Sequence, residues 1–262
     1  MKQGSGTSRW ARQVGVTLVE LGLDPRRWLA LGQAPRFLAD RRRFLQAGGR
    51  IDHLAPMLSD YVDQAGAARG HYFHQDLLVA TLINLAAPRR HIDVGSRVDG
   101  FVAHVAAFRS IEVMDIRPLT LVHDRISFLQ RDLMAGGADI DGITDSLSCL
   151  HALEHFGLGR YGDPIDPDGH LKGFAALHAM LEPGGTLYLS FPIGEPGVHF
   201  NAHRVFAPGE VLGWLPGAFD LIRFDFVDDA GDLHADAAVG DIPALEYGCG
   251  IYTLCKRAPA DA

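Results

Sequence analysis

From residue 70 onward, short apolar runs alternate with segments of helical spacing. Ile92–Val94, Ile111–Met114, Ile126–Leu129, Ile143–Leu150 and Thr186–Phe191 are brief, apolar and rich in β-branched or aromatic residues, which is how buried strands read. Most of the intervals between them carry helical patterns, clearest at Phe101–Phe108 and Leu171–Leu181, and "YFHQDLLVATLINLA" predicts a helix leading into the first strand. Two later strands are expected in "FDLIRFDFVDD" (219–229) and "YGCGIYTLCKR" (247–257). Strands in alternation with helices argue for a mostly parallel sheet covered on both faces. The expected fold is therefore α/β, a three-layer sandwich around a seven-stranded sheet.

The chain ahead of this pattern is different. Residues 9–48 read as helical, broken by "GLDP" and "GQAP", with an apolar stripe of Trp28, Leu29, Leu31, Phe37, Leu38, Phe44 and Leu45 flanked by arginines. Periodicity is weak over 51–70, so the division is an N-terminal helical extension over 1–69 and a main domain over 70–262. Charge divides the same way. The net charge of −8 combines ten Lys/Arg against three Asp/Glu in residues 1–50 with fourteen against twenty-nine in the remainder. An acidic main domain argues against a general nucleic-acid binder. The basic extension reads either as a helical cap packed on an acidic core or as a dock for a membrane surface or a partner enzyme.

Three cysteines in no zinc-finger spacing, no secretory leader and no apolar run of the length a membrane helix requires lead to an expectation of a cytoplasmic protein. Cys149 and Cys255 lie in apolar runs and are expected in the core.

In an open α/β sheet, ligands bind beyond the carboxyl ends of the strands. The first strand ends in "DVGSRVDG", where Gly95 allows a sharp turn and the following helix presents free N–H groups. The second ends at Asp115, twenty residues after Gly95, where a carboxylate accepts both hydroxyls of a ribose. The third ends in "FLQRDLM", which places Asp132 to accept from an adenine amino group and Leu133 to pack on the ring.

The glycine turn, Asp115, Asp132, "LHALEH" and "LEPGGTLYLS", in this order over residues 70–257, resemble the class I, Rossmann-like S-adenosylmethionine-dependent methyltransferases. The resemblance implies S-adenosylmethionine as cofactor, an antiparallel last strand inserted beside its neighbour, and cofactor contacts from Asp93, Gly95, Ser96, Arg97, Asp115, Ile116, Asp132, Leu133, Leu150 and His151. "YFHQDLLVA", "HIDVGSRVDGFVAHV", "SCLHALEHFGLGRYGDPIDPDGH" and "FNAHRVF" are similar to a little-characterised methyltransferase-like family associated with bacterial surface-polysaccharide synthesis. That likeness implies a sugar or glycan hydroxyl as acceptor, with candidate contacts at Tyr72, His74, Tyr161, Asp163, His199 and Asn201. One departure stands in the glycine loop, where Arg97 and Asp99 replace glycines of the family pattern. Arg97 either pairs with the cofactor's carboxylate or turns to solvent or to Asp99.

Transfer to a hydroxyl needs a base, and histidine suits neutral pH. His203 is the first candidate and His155 the second. "YGDPIDPDGH" gathers Asp163, Asp166, Asp168 and His170, a set open to a divalent ion, although Asp168 as helix cap within an ordered substrate loop is the simpler reading, and no metal is assigned. Two other functions compete. A nicotinamide oxidoreductase would use Tyr252 and Lys256, whose four-residue spacing on a strand holds them about 13 Å apart. A non-catalytic scaffold would dock to glycan-synthesis enzymes through the basic extension.

Overall fold

The computed structural model describes residues 29–120 and 123–258, together with positions 15, 18 and 19. Two compact units are present, Met1–Ala67 and Ala68–Ala262. In the first, a 3-10 turn at Ala30–Gln33 runs into helix α1 (Ala34–Gln46). Pro35 sits in the first turn of α1, where its missing N–H leaves no helical bond unmade. The "GQAP" stretch thus starts a helix rather than breaking one. No residue of α1 is buried, and Leu29, Leu31, Leu38 and Phe44 are each more than half exposed. Phe37 of the same stripe is half-buried. Trp28 and "GLDP" lie outside the described residues.

The second unit begins with α2 (His71–Ala86), β1 (His91–Val94), a wide helical turn at Val98–Val102 and α3 (Ala103–Ala106). It continues through β2 (Ile111–Asp115), β3 (Ile126–Gln130), β4 (Thr144–Leu150), α4 (Gly169–Met180) and β5 (Leu181–Ile193). A small hairpin, β6 (Gly197–His199) and β7 (His203–Val205), precedes β8 (Phe219–Val227), β9 (Leu233–His234) and β10 (Gly248–Lys256). The main sheet has the order β3-β2-β1-β4-β5-β10-β8-β9. Neighbours from β3 to β5 are parallel, and β10 is antiparallel to both β5 and β8.

Eight strands are present where the pattern predicts seven. The extra one, β9, is two residues paired to Phe226 and Val227, and its turn is set by Asp228, which accepts the N–H of Ala230 and Asp232. Two residues carry no readable period. Between β3 and β4 no α-helix forms among the described residues; 3-10 turns at Leu133–Ala135 and Ala138–Ile140 take its place. Gly136 and Gly137, at φ +60° and +128°, stop a helix there.

The sheet is covered on both faces. On one, Phe174, Leu177 and Met180 of α4 pack against Leu147, Leu187 and Leu189. On the other, Val79 and Ile83 of α2 and Val105 of α3 pack against Ile111, Val113 and Ile251. A polar seam crosses this apolar layer. His91 Nδ1 lies 2.8 Å from Ser146 Oγ, its Nε2 lies 3.1 Å from Ser148 Oγ, and Ser148 donates to Asp93 at 2.6 Å. Burial pushes His91 down to about 3, so it is neutral. The seam fixes β1 to β4 where the strand order reverses, and there the sheet opens a crevice.

Cys149 is buried as expected, whereas Cys255 is only half-buried. Tyr252 donates to the Pro208 carbonyl and Lys256 to the carbonyls of His178 and Leu181. Each is a structural tie, and no reductase-like pair forms.

Candidate functional site

The loop leaving β1 is held from below. Asp93 is fully buried and accepts from Ser96 N (3.0 Å), Ser96 Oγ (2.7 Å) and Ser148 Oγ (2.6 Å). Burial pushes its carboxyl up to about 6 against these hydrogen bonds. Gly95 has φ +78°, and a Cβ there would come within 2.7 Å of the Ala152 Cβ. Handedness and space both demand glycine.

Two adjoining pockets open at the carboxyl ends of the strands. The first is lined by Gly95, Asp115, Ile116, Asp132, Leu133, Met134 and Phe156 among others. Its floor is apolar and its rim carries the two acids. Asp132 also caps the Leu133 turn, accepting from Met134 N at 2.9 Å. Asp115 is gripped by Arg117, whose Nε and Nη2 reach the two carboxylate oxygens at 2.9 and 2.5 Å. The Arg117 guanidinium also lies 4.3 Å over the Tyr161 ring, a cation–π contact that closes one side of the pocket.

The second pocket shares Gly95, Arg117, His151, His155 and Tyr161 with the first and adds Tyr72, Gln75, Asp76, Ser96, Leu150, Glu154, Arg160, His203 and Tyr247. These come from α2, the loop after β4, β7 and the segment before β10, and they are mainly polar. At its base His151 has φ +48°, a left-handed conformation a non-glycine residue holds only when its surroundings impose it. Here its N–H donates to Ser190 O (3.0 Å) and its Nδ1 meets Glu154 Oε1 (2.9 Å). Burial opposes charge on His151, yet the adjacent Cys249 and Glu154 raise it well above the ordinary histidine value. Glu154 is likewise opposed by burial but held low by His151.

Comparisons with known proteins follow this geometry. Residues 105–230 match the model of a family described as "Caenorhabditis protein of unknown function, DUF268". No curated protein matches the sequence. Among solved structures, the chain is similar to the Burkholderia thailandensis 1,6-didemethyltoxoflavin-N1-methyltransferase, crystallised with S-adenosylhomocysteine, at TM-score 0.50 and 16% identity over 87% of this chain and 90% of that one. It is equally similar to the [4+2]-cyclase SpnF, at TM-score 0.50 and 16% identity over 81% and 91% of the two chains. The chain has the fold of the Rossmann-like methyltransferases. Since a cyclase shares it, chemistry must be argued from the site.

The structure brings most of the expected contacts together. Gly95, Asp115, Ile116, Asp132, Leu133 and His151 line the first pocket, and Ser96, Arg97, Leu150, Tyr72, Tyr161, His155 and His203 line the second. Several roles need correction. Asp93 lines neither pocket and acts by bracing the loop. Arg97 forks onto Asp99 at 3.1 and 2.8 Å with its side chain 70% exposed, so the solvent-side alternative is the one formed. Asp163 lines the first pocket, but its carboxylate accepts the N–H groups of Gly157, Gly159 and Tyr161, which makes it the brace of Tyr161 rather than an acceptor contact. Asp168 makes no side-chain cap; Asp166 instead accepts Asp168 N and pairs with Lys172. His74 packs edge-on against Phe73, and Asn201 is exposed on the hairpin tip; neither lines a pocket. His199 stacks on His203 at 5.0 Å and reaches the site only through it.

Sequence reasoning missed Gln75, Asp76, Arg160, Tyr247 and the buried Arg204, which donates to the carbonyls of Glu154, Phe156 and Pro167 and so ties the loop after β4 to the start of α4. Tyr72, Gln75 and Asp76 are spaced i, i+3 and i+4 on one face of α2, so helical phase carries the signal for the latter two. Arg160 and Tyr247 sit on irregular segments and Arg204 in a three-residue strand, none with a periodic signal.

Proposed function

We propose that this chain is an S-adenosylmethionine-dependent O-methyltransferase whose acceptor is a sugar hydroxyl, in keeping with a role in surface-glycan synthesis. The carrying observation is the first pocket: the Gly95 turn, an acid ending β2, and an acid with an apolar neighbour after β3, all at the switch point of the sheet. The residues fit the cofactor. A Cβ would fill the cradle at Gly95, Asp115 stands where ribose hydroxyls are accepted, and Ile116, Leu133, Met134 and Phe156 offer an apolar slot for a purine. When bound, the cofactor supplies an electrophilic sulfonium methyl.

The chain's own part is to orient the acceptor and take its proton. The polar lining of the second pocket suits a hydroxyl-rich ligand. His203 is the base this reading selects. Burial pushes it down to about 4, so it is neutral and able to accept a proton at pH 7. His155 is held by its Nδ1, 2.6 Å from the Ala202 carbonyl, a bond that fixes its tautomer and leaves it a positioning role.

Thermal unfolding with S-adenosylhomocysteine or NAD(H) tests the cofactor. Stabilisation by S-adenosylhomocysteine alone is expected, and stabilisation by NAD(H) instead would overturn the reading. Incubation with nucleotide-sugars and labelled cofactor should give a product heavier by one methylene. The Arg117 fork on Asp115 favours a second reading, a scaffold that binds without transfer; binding with no labelled product from any sugar would select it.

A further inference from the structure

Behind the second pocket, three residues from distant parts of the chain converge. His71 opens α2, His151 follows β4 and Cys249 lies in β10, and one ligand atom of each falls within 4.8 Å of the other two. Among the described residues no other such His, Cys and carboxylate group forms. His151 is 9% exposed and Cys249 fully buried, and His71 is half-buried with its ring stacked on His151 at 5.3 Å.

His151 Nε2 is buried without a hydrogen-bond partner, a rare condition that calls for an explanation. Glu154 Oε2, beside the cluster, is also buried without a hydrogen-bond partner. The Cys249 thiol makes only long contacts to Gln75 Oε1 at 3.9 Å and the Gly250 carbonyl at 3.7 Å, and faces the His151 imidazole, whose pKa it helps to raise. The other nitrogen of His151 is already engaged, since its Nδ1 meets Glu154 Oε1 at 2.9 Å, and His71 hydrogen-bonds the Tyr247 backbone. An imidazole whose far nitrogen is fixed by a carboxylate is the usual support of a metal-binding histidine, because this sets the tautomer and aims the near nitrogen.

We propose that His71, His151 and Cys249 bind a divalent transition metal of the Zn²⁺ class. Two imidazoles and a thiolate suit Zn²⁺, whose binding releases the His151 imidazolium proton and the Cys249 thiol proton, and three protein ligands leave a fourth position open. Bond lengths of about 2.0–2.3 Å place tetrahedral ligand atoms about 3.3–3.7 Å apart, so side-chain rotations of about 1 Å close the present cluster. His151, Glu154 and Tyr247 all line the second pocket, so the open position faces the space where an acceptor would lie. The ion is a different group from the Asp163–His170 loop, whose acids are engaged by backbone N–H groups and Lys172. The site is independent of the methyl-transfer reading and stands or falls on binding alone.

The experiment uses the full chain, stripped with chelator and titrated with Zn²⁺ or with Co²⁺ as a spectroscopic probe. One equivalent is expected to survive dialysis, and the Co²⁺ form should show thiolate-to-metal charge transfer with tetrahedral visible bands. Cys249→Ser, judged folded by circular dichroism, should lose the charge-transfer band. His71→Ala should lose at least about 100-fold in affinity, and Glu154→Gln about 10–100-fold with stoichiometry kept at saturation. Failure of the wild-type chain to retain metal overturns the proposal, as does a Co²⁺ spectrum without a thiolate band or one that folded Cys249→Ser leaves unchanged. Should Cys249→Ser not fold, the wild-type spectrum and His71→Ala decide.

Discussion

The first pocket takes its key lining from residues one to three positions past a strand end: Gly95 after β1, Ile116 after β2, Asp132 and Leu133 after β3. The second draws Tyr72, Gln75 and Asp76 from α2, Glu154 and Arg160 from the loop after β4, His203 from β7 and Tyr247 from the approach to β10. One is made at strand ends that the sheet aligns, the other by side chains that a helix, a short strand and two loops bring together. The first thus follows from the fold, while the second depends on side chains particular to this chain.

The sharpest break of this contrast is Gly95→Val. A β-branched residue forced to φ +78° against the Ala152 Cβ should lower stability by about 2–5 kcal/mol, from backbone strain and overpacking together. Binding of S-adenosylhomocysteine and turnover should both vanish in calorimetry and product assays, because the second pocket has no donor without the first. Retained binding would show that the backbone does not make the first pocket. Next is His203→Ala. Loss of a general base should reduce turnover by about 10²–10⁴-fold while S-adenosylhomocysteine binds as before. An unchanged rate would move the base elsewhere.

The same contrast explains what could be read from sequence. Strand ends are visible because apolar runs stop at polar residues, so Gly95, Asp115, Asp132 and Leu133 were legible with the sheet order that aligns them. Phe219–Val227 and Gly248–Lys256 were legible as strands for the same reason. Cys249 and His71 were not singled out: one is an ordinary apolar-strand position and the other a helix start, and only the pairing of β10 with β5 and the packing of α2 bring them to His151. For Asp93 and Asp163, sequence cannot show that the carboxylates accept from N–H and hydroxyl groups of nearby loops and strands.

Asp115→Asn tests the first pocket more gently. Hydrogen bonds to a charged group contribute about 1.5–3 kcal/mol, so S-adenosylhomocysteine affinity should fall about 10–100-fold by calorimetry. A smaller loss would mean that Arg117 keeps the Asp115 carboxylate for itself. Acid should separate the pockets again. His71 and His203, at the second, and His91, in the seam, have folded-state values near 4, 4 and 3. In the unfolded chain they take up protons near 6.5, so the stability they contribute is complete above that value and is lost as pH falls toward 4. Asp93, raised to about 6, acts oppositely, since its folded form holds a proton that the unfolded form releases above about 3.8. Melting temperature in metal-free buffer should drop from pH 7 to pH 5, and His71→Gln with His203→Gln should flatten that drop. An equally steep drop in the double variant would place the acid response outside the second pocket.

The smallest expected effect belongs to Arg97→Ala, which tests whether the departure from the glycine-rich pattern changes the first pocket at all. Arg97 and Asp99 replace two glycines, yet their side chains pair with each other in solvent, 70% and 73% exposed, where an ion pair contributes little. The backbone they occupy asks for little that only glycine provides: Arg97 is extended at φ −69°, and the loop's one left-handed residue is Gly95. Removing the guanidinium should therefore leave the melting temperature nearly unchanged and S-adenosylhomocysteine affinity within about two-fold, a change below the worth of one net hydrogen bond. A ten-fold or greater loss of affinity would mean that Arg97 leaves Asp99 to grip the ligand's carboxylate. The boundary between the pockets would then run through a side chain rather than through the backbone turn at Gly95.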